Sequence, residues 1–172
     1  MFGNGGFAGE AVESGPEVES RETGLSKGFA TVRTDTGHLA AKEPLATFAS
    51  KQRNKIDDHG YRALHETITL AKKVVATFYA RAADYSYWQG CSTGGRQGIM
   101  AASRFPEDFG GIAAAAPTLP GVAHCSGGYG PDQIDAMTPL IEWVESGKTP
   151  ERLGAQKKVG DFLKYNRAIC IC

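Results

Sequence analysis

The chain of 172 residues is about the size of one domain, and its 41% hydrophobic and 22% charged residues are ordinary for a globular protein. Its 19 basic residues balance 19 acidic ones, and this zero net charge argues against nucleic acid or an anionic membrane as the main partner. No apolar run approaches the roughly 18 residues of a membrane-spanning helix, and the first residues lack the basic and apolar regions of a signal peptide.

The predicted elements begin with a glycine-dense turn at residues 3–9, GNGGFAG, where the backbone can approach another group closely. A flexible tail is the alternative interpretation of this segment. Residues 10–26, rich in Glu, Ser and Gly, are expected to form an exposed loop. A short strand is predicted over residues 28–34 and a long loop over residues 39–56.

A long amphipathic helix is predicted over residues 60–81. Asp57 and Asp58 precede it, as N-cap and first-turn acids should. Apolar residues recur along it at spacings of three and four and form one apolar face: Leu64, Ile68, Ala71, Val75 and Phe78.

The second half of the chain alternates strands and helices. Residues 84–89 predict an aromatic-rich strand, residues 95–104 a helix and residues 110–117 a strand of small residues. A further helix is predicted over residues 132–146, with Gly147 as its C-cap. This alternation is typical of a parallel sheet in an α/β protein, although three clear strands are few for such a sheet.

Residues 90–94, GCSTG, fit the G-x-S-x-G pattern of a nucleophile elbow. In an elbow the serine, here Ser92, occupies a strained turn between a strand and a helix, and both elements are predicted here. The N-terminus of the helix favours negative charge where an oxyanion develops. A glycine-rich connection with an incidental serine is the alternative.

An oxyanion hole needs two N–H donors. In hydrolases with this elbow, one donor is the residue after the nucleophile and the other lies in a glycine-rich loop after an earlier strand. Thr93 is the candidate for the first donor, and Gly5 or Gly6 for the second.

In hydrolases with a nucleophile elbow, the catalytic histidine follows the nucleophile in the sequence. His124 is the only histidine after Ser92, and it is therefore the candidate base. His65 lies within the long predicted helix and is expected to be structural. His38, at the end of a predicted strand, is a candidate for lining a pocket.

Several motifs, in this order, resemble the family of tannases and fungal or bacterial feruloyl esterases over nearly the whole chain. They are GNGGFAG, TDTGH, YRALHETITLAK, GCSTGGRQG, ASRFPEDFGGI and PGVAHCSGG, the last followed by PD. The resemblance implies an α/β-hydrolase fold with a separate lid domain, secretion, and hydrolysis of small aromatic-acid esters such as ferulates or gallates.

Carried over residue by residue, the resemblance makes Ser92 the nucleophile and His124 the base. It also implies a disulfide between Cys91 and Cys125, which would tie the loops of nucleophile and base together. Two free buried thiols are the alternative if the chain stays in the cytosol, because cysteine count alone does not fix the compartment.

The remaining two cysteines carry no clear assignment. Cys170, in RAIC, looks like the C-terminal cysteine of the family, and Cys172 is too close to it in sequence for an ordinary bridge between the two. The C-x-C pair is a weak metal motif without a second ligand pair, so no metal site is predicted.

The sequence departs from the family pattern in a way that affects the site. The chain opens at the oxyanion loop, and AAAAPTLPGVAHC runs from a strand almost directly into the histidine loop. Between those points the family has its lid, a calcium site and the strand that carries the catalytic Asp. Glu107 and Asp108 are the only acids between Ser92 and His124, and neither is assigned as the triad acid; Asp132 and Asp135 are more typical of first-turn helix acids.

We therefore expect one incomplete α/β-hydrolase domain over residues 1–172, with a parallel sheet and an elbow, without a lid, catalytic Asp or cofactor. The first hypothesis is a carboxylic ester hydrolase, and the second is a non-catalytic remnant of such an esterase. Apolar helix faces left uncovered by the missing segment predict self-association. A thiol-based redox or metal protein is the weakest alternative.

Overall fold

The structure is a computed structural model that describes residues 1–10, 17–115, 133–159 and 162–170. Its helices are α1 (Glu17–Ser26), α2 (Arg53–Asp57), α3 (Ala63–Tyr79), α4 (Thr93–Arg104) and α5 (Met137–Ser146). A 3₁₀ turn lies at Thr47–Ala49 and a π-helical turn at Asp58–Arg62. The strands are β1 (Tyr87–Cys91), β2 (Gly111–Ala115), β3 (Gln133–Ile134), β4 (Arg152–Val159) and β5 (Phe162–Cys170).

A parallel strand–helix–strand unit forms the centre of the α/β part. Strand β1 pairs with β2 in parallel register, from Tyr87 opposite Gly111 to Cys91 opposite Ala115, and α4 makes the crossover. Residues 1–3 continue the sheet on the other side of β1, where the Gly3 amide donates to the Gln89 carbonyl at 2.8 Å. The predicted α/β class is confirmed for this part of the chain.

The core lies between the sheet and helices α3 and α4. Its buried members are Leu64, Ile68, Trp88, Ala101 and Phe109. On the other side, α5 packs on β2, where a methyl group on Gly111 would come within 3.1 Å of Val144. The Tyr87 hydroxyl donates to Glu145 at 2.7 Å and fixes α5 to β1.

Strands β3, β4 and β5 form a second, antiparallel sheet that the sequence patterns did not predict. Strands β4 and β5 pair from Arg152 opposite Cys170 to Val159 opposite Phe162, with an irregularity between Lys157 and Lys158. Residues 152–158, RLGAQKK, alternate weakly and include a glycine, so the period-two signal of a strand is faint.

Two predictions for the first third of the chain were wrong, and a third was wrong in part because the end of the loop predicted over residues 39–56 belongs to α2. Residues 28–34 form no regular strand; they lie beside residues 1–3 with the Phe2 amide donating to the Val32 carbonyl at 3.2 Å, but without a regular ladder. Residues 17–26, expected to be a loop, form α1. Glu, Arg and Leu favour a helix there, whereas the prediction followed the overall polarity of the segment.

The long helix was predicted correctly in kind but not in detail. Asp57 and Asp58 make no side-chain cap; the Asp58 carboxylate instead accepts from Arg62 Nε at 2.7 Å within the π-helical turn. Leu64 and Ile68 are buried as predicted, but Phe78 in the last turn is 79% exposed. Of the described residues, no helix has both the length and the apolarity to cross a membrane.

The last predicted helix begins later than expected, at Met137, and ends at Ser146. Gly147 follows it as the predicted C-cap, with a left-handed φ of +69°. Asp135 precedes it and its carboxylate accepts from the Thr138 amide at 3.0 Å. Burial opposes the charge on Asp135, but hydrogen bonds from Thr138 and Met137 and the positive charge of Lys27 together outweigh it and lower the pKa of Asp135.

Candidate active site

Ser92 lies in the turn between β1 and α4. It has φ +59° and ψ −120°, a conformation that costs energy for a residue with a side chain. The Arg96 amide already donates to the Ser92 carbonyl at 3.1 Å, so the helix starts immediately after the serine. The local geometry is a sharp strand–turn–helix connection of the kind that presents a nucleophile.

Glycines around Ser92 are required because the backbone segments pass within contact distance. A Cβ on Gly90 would lie 2.6 Å from the carbonyl carbon of Gly94. A Cβ on Gly95 would lie 2.1 Å from the carbonyl oxygen of Ala115 in β2. Any side chain at these positions would force β1, α4 and β2 apart and move the turn that carries Ser92.

The segment GNGGFAG, residues 3–9, packs on the first turn of α4 and is therefore not the flexible tail that was the alternative interpretation. A Cβ on Gly3 would lie 2.4 Å from the Cα of Gly94. The Gly94 amide donates to the Asn4 carbonyl at 2.8 Å, and the Thr93 hydroxyl donates to the Gly6 carbonyl. Thr93, Gly5 and Gly6, the three candidates for the oxyanion hole, are therefore neighbours around this turn.

Positive φ angles shape the loop beyond Asn4. Gly6, Ala8 and Gly9 have φ of +46°, +61° and +78°. The Ala8 amide donates to the Gly5 carbonyl at 2.8 Å and closes a tight turn. The loop therefore curls back at the N-terminus of α4.

Several predicted site residues fall outside the described part of the chain. His124, Cys125 and Asp132 lie within residues 116–132, and Cys172 lies beyond residue 170. Cys170 ends β5, but its side chain is not described. The contact between Ser92 and His124 and the bridge from Cys91 to Cys125 therefore remain predictions.

His65 belongs to a separate contact at the far end of α4. Its Nδ1 lies 2.8 Å from Oδ2 of Asp108, and its ring stacks on Phe105 with 4.0 Å between ring centroids. The α4 helix of 12 residues is about 18 Å long, so this pair is remote from Ser92. His65 joins α3 to the end of α4, and the Asp108 carboxylate is engaged there.

His38 is buried, with 4% of its surface exposed, and its interpretation as a residue lining a pocket stays a prediction. Its ring stacks on Phe48 at 4.0 Å. A Cβ on Gly9 would lie 2.5 Å from His38 Nε2, so the imidazole edge directly supports the end of the glycine-rich loop.

His59 and Arg96 form a contact beside the elbow that sequence reasoning missed. A terminal guanidinium nitrogen of Arg96 lies 3.4 Å from His59 Nε2 and donates to the His59 carbonyl at 3.3 Å. Burial, followed by the positive charge of Arg96 and the nearby His38, lowers the pKa of His59 to about 4. His59 is therefore neutral at pH 7.

Among the described residues, neither a cluster of metal ligands nor the lining of the large groove includes Ser92. Across the described ranges, no three His, Cys, Asp or Glu side chains are grouped to hold a metal. A large groove borders α1, α3 and α5. Its α3 wall carries Leu70 and Val74, which are 62% and 58% exposed.

With this geometry in view, comparison with known proteins identifies the chain's relatives. A sequence profile described as tannase and feruloyl esterase matches residues 1–119 and 118–172. The chain belongs to the tannase and feruloyl esterase family. The resemblance stated from the motifs is thus confirmed, while the roles of individual residues remain predictions.

Individual relatives match parts of the chain. A probable feruloyl esterase B-1 of Neosartorya fischeri is 35% identical over 147 residues, which cover 82% of this chain and 26% of the relative. A mono(2-hydroxyethyl) terephthalate hydrolase of Piscinibacter sakaiensis is 43% identical over 99 residues, covering 54% and 16%.

The crystal structure of feruloyl esterase B from Aspergillus oryzae aligns with a TM-score of 0.50 at 33% identity. The alignment covers 64% of this chain and 20% of that one. This likeness confirms the partial α/β fold. The chain spans about a quarter of the length of the first curated relatives it matches.

Proposed function

We propose that the chain is a carboxylic ester hydrolase of aromatic-acid esters, with Ser92 as nucleophile and His124 as base. The observation that carries this proposal is the conformation of Ser92, with φ +59° and ψ −120°, between a parallel strand and a helix N-terminus. The names of the relatives, feruloyl esterases and a terephthalate monoester hydrolase, favour an ester of an aromatic acid as substrate.

The proposed reaction follows the serine acyl-transfer scheme. His124 takes the proton of Ser92 Oγ as that oxygen attacks the ester carbonyl, and then returns a proton to the departing alcohol. Water, activated by the same histidine, hydrolyses the aromatic acyl-serine. Amides of Thr93 and of Gly5 or Gly6 bind the oxyanion, and the partial positive charge at the N-terminus of α4 stabilises it.

The proposed Cys91–Cys125 bridge would hold the base beside the nucleophile. Cys91 immediately precedes Ser92, and Cys125 immediately follows His124. Closing a loop of this length is worth about 3–4 kcal/mol in the chain-entropy account. Peptide mapping without reduction, on chain made in an oxidising compartment, should recover the linked pair; two free thiols would contradict the loop arrangement.

A non-catalytic remnant is the second candidate, and one observation favours it. The family profile matches in two stretches that meet at residues 118–119, where the sequence runs from a strand almost directly into the histidine loop. A triad acid orients the imidazole, and disabling it lowers turnover about 10⁴-fold in a well-studied protease. Because no acid of this chain is assigned to the triad, we expect weak or undetectable hydrolysis by this chain.

The nucleophile is tested with a fluorophosphonate probe, which reacts with activated serines. The probe should label wild-type chain and Ser103→Ala, which changes an exposed serine of the same helix, but not Ser92→Ala. Labelling of the Ser92→Ala protein at the wild-type rate would overturn the assignment.

The two candidate functions are separated by kcat/KM on methyl ferulate and methyl gallate. The chain should be compared with a version that carries, after Pro117, the lid-and-Asp segment of a full-length relative. Restored activity in the extended version supports an internally deleted esterase. Equal activity in both would show that other residues complete the site, and Asp132 would be mutated first.

Association and localisation are also proposals. Leu70, Val74 and Phe78 form an exposed apolar stripe on α3, with 62%, 58% and 79% of their surfaces accessible. We expect self-association through this stripe. We also propose that the protein is secreted, as the family resemblance implies. Sedimentation velocity should show a smaller oligomer for Val74→Glu than for wild type.

A further inference from the structure

A closed ring of amide hydrogen bonds joins the glycine-rich loop to α4. The Asn4 amide N–H donates to Gln97 Oε1 at 3.1 Å, and Gln97 Nε2 donates to Asn4 Oδ1 at 3.2 Å. Both side chains are almost wholly buried, at 2% and 1% exposed. The partners are 93 residues apart in sequence, so the ring is purely tertiary.

Backbone partners fix the orientation of both side-chain amides. A backbone N–H can only donate, so the atom of Gln97 that faces the Asn4 N–H is its oxygen. A backbone carbonyl can only accept, so the atom of Asn4 that lies 2.8 Å from the Thr34 carbonyl is its nitrogen. The remaining atoms, Gln97 Nε2 and Asn4 Oδ1, then form a donor–acceptor pair.

Asn4 binds three residues in two segments: Gln97 and Gly94 in α4, and Thr34 after the glycine-rich loop. Its side chain binds Gln97 and Thr34, and its carbonyl accepts from the Gly94 amide at 2.8 Å. Gly94 lies two residues after Ser92, and Gly5 follows Asn4 directly. The ring therefore ties the loop proposed to supply one oxyanion donor to the helix turn proposed to supply the other.

We infer that Asn4 and Gln97 are positioning residues that hold the glycine-rich loop in register with the nucleophile turn. This inference rests on the proposed function. Catalytic geometry must be held to within about 0.5 Å, and losing one oxyanion donor costs about 10²–10³ in rate. Shifting Gly5 and Gly6 away from Thr93 should therefore slow attack at Ser92 without touching Ser92 itself.

Gln97→Glu provides a reversible test. In its protonated form, the introduced carboxyl would keep both bonds, since its carbonyl accepts from the Asn4 N–H and its O–H donates to Asn4 Oδ1. In its ionised form, it would place a carboxylate oxygen against Oδ1 and repel it. Burial raises the pKa of a carboxyl, so the bonded form returns as the pH falls. Gln97→Met keeps the length but neither bond.

The readout is the second-order rate of fluorophosphonate labelling of Ser92, divided by the wild-type rate at each pH from about 5 to about 8. We expect Gln97→Glu to label about 10- to 100-fold more slowly at the upper end of this range and to approach wild type at the lower end. Gln97→Met should be slow throughout. A ratio near one at the highest pH, or a pH-independent deficit in Gln97→Glu, overturns the inference.

A matched control separates positioning from lost stability. Asp108→Ala breaks a buried polar contact at the other end of α4. It should label at nearly the wild-type rate even where its loss in Tm equals that of Gln97→Met. An equal deficit in Asp108→Ala would show only a structural role. If the wild-type chain is not labelled, the proposed function fails, and hydrogen exchange of the Gly94 amide then tests the positioning role. Exchange should be faster in Gln97→Met than in Asp108→Ala. Equal exchange rates in the two variants would overturn the inference.

Discussion

The two ends of α4 are packed in opposite ways. At the Ser92 end, backbone meets backbone: Gly94 lies against Gly3, and Gly95 lies against Ala115. At the Arg104 end, side chains make the contacts, through the pairing of His65 with Asp108 and the stacking of His65 on Phe105. One helix thus carries a tightly constrained turn at one end and an adaptable contact at the other.

The difference follows from what each end has to do. A strained turn such as that of Ser92 persists only where its surroundings over-determine it. Backbone contacts are stiff, because no rotamer change can relieve a clash. The far end only joins α3 to α4, and side chains can repack there at modest cost.

The largest effect should come from a methyl group at the Ser92 end. Gly95→Ala would place Cβ 2.1 Å from the Ala115 carbonyl oxygen, which neither backbone can avoid without moving. Overpacking usually costs about 1–3 kcal/mol, and we expect this substitution to reach or exceed the top of that range. Urea unfolding should show the loss, together with slower labelling of Ser92.

Gly60→Ala is the matched control for that substitution. Nothing lies within 4 Å of a Cβ at Gly60, which sits in the helical segment before α3. Alanine there should stabilise the chain by about 0.5–1 kcal/mol. If Gly95→Ala were as well tolerated as Gly60→Ala, the close approach of α4 to β2 would be wrong.

A smaller effect is expected at the far end. Asp108→Ala leaves the half-exposed His65 without its acceptor, and removing one partner of a buried polar contact costs about 1–3 kcal/mol. Because His65 keeps its stacking on Phe105 and access to solvent, we expect the lower half of that range. Differential scanning calorimetry measures the loss, and a shift as large as that of Gly95→Ala would erase the contrast between the two ends.

The same contrast explains which features the sequence could predict. Glycines at fixed offsets from Ser92 leave a direct trace in the sequence, so the strand, turn and helix were predicted nearly in register. The pair of His65 and Asp108 leaves no such trace, because any complementary side chains could join the helices there. His65 could be expected to be structural, but its partner could not be named.

Other features that the sequence did not predict have separate physical causes. The Asn4–Gln97 ring spans 93 residues and depends on tertiary contact alone. His59 was passed over because it precedes Ser92, although the packing of α3 brings it to Arg96. The role of His124 depends on residues 116–132, which lie outside the described part of the chain.

The last predicted effect is a pH dependence of stability at the Ser92 end. Burial and the charge of Arg96 lower the pKa of His59 from 6.5 to about 4, so the unfolded chain takes up this proton first as the pH falls. The contribution of His59 to the free energy of unfolding is therefore full above about pH 6.5 and declines as the pH falls towards about 4. The decline is roughly 1–2 kcal/mol after allowance for solvent screening at a half-buried site.

His59→Gln should flatten this part of the curve of unfolding free energy against pH, and Arg96→Gln should flatten it in part by removing a repulsive charge. Urea unfolding at several pH values between about 7.5 and about 4.5 gives the slopes, and a His59→Gln slope equal to that of wild type would place the pH dependence elsewhere in the molecule.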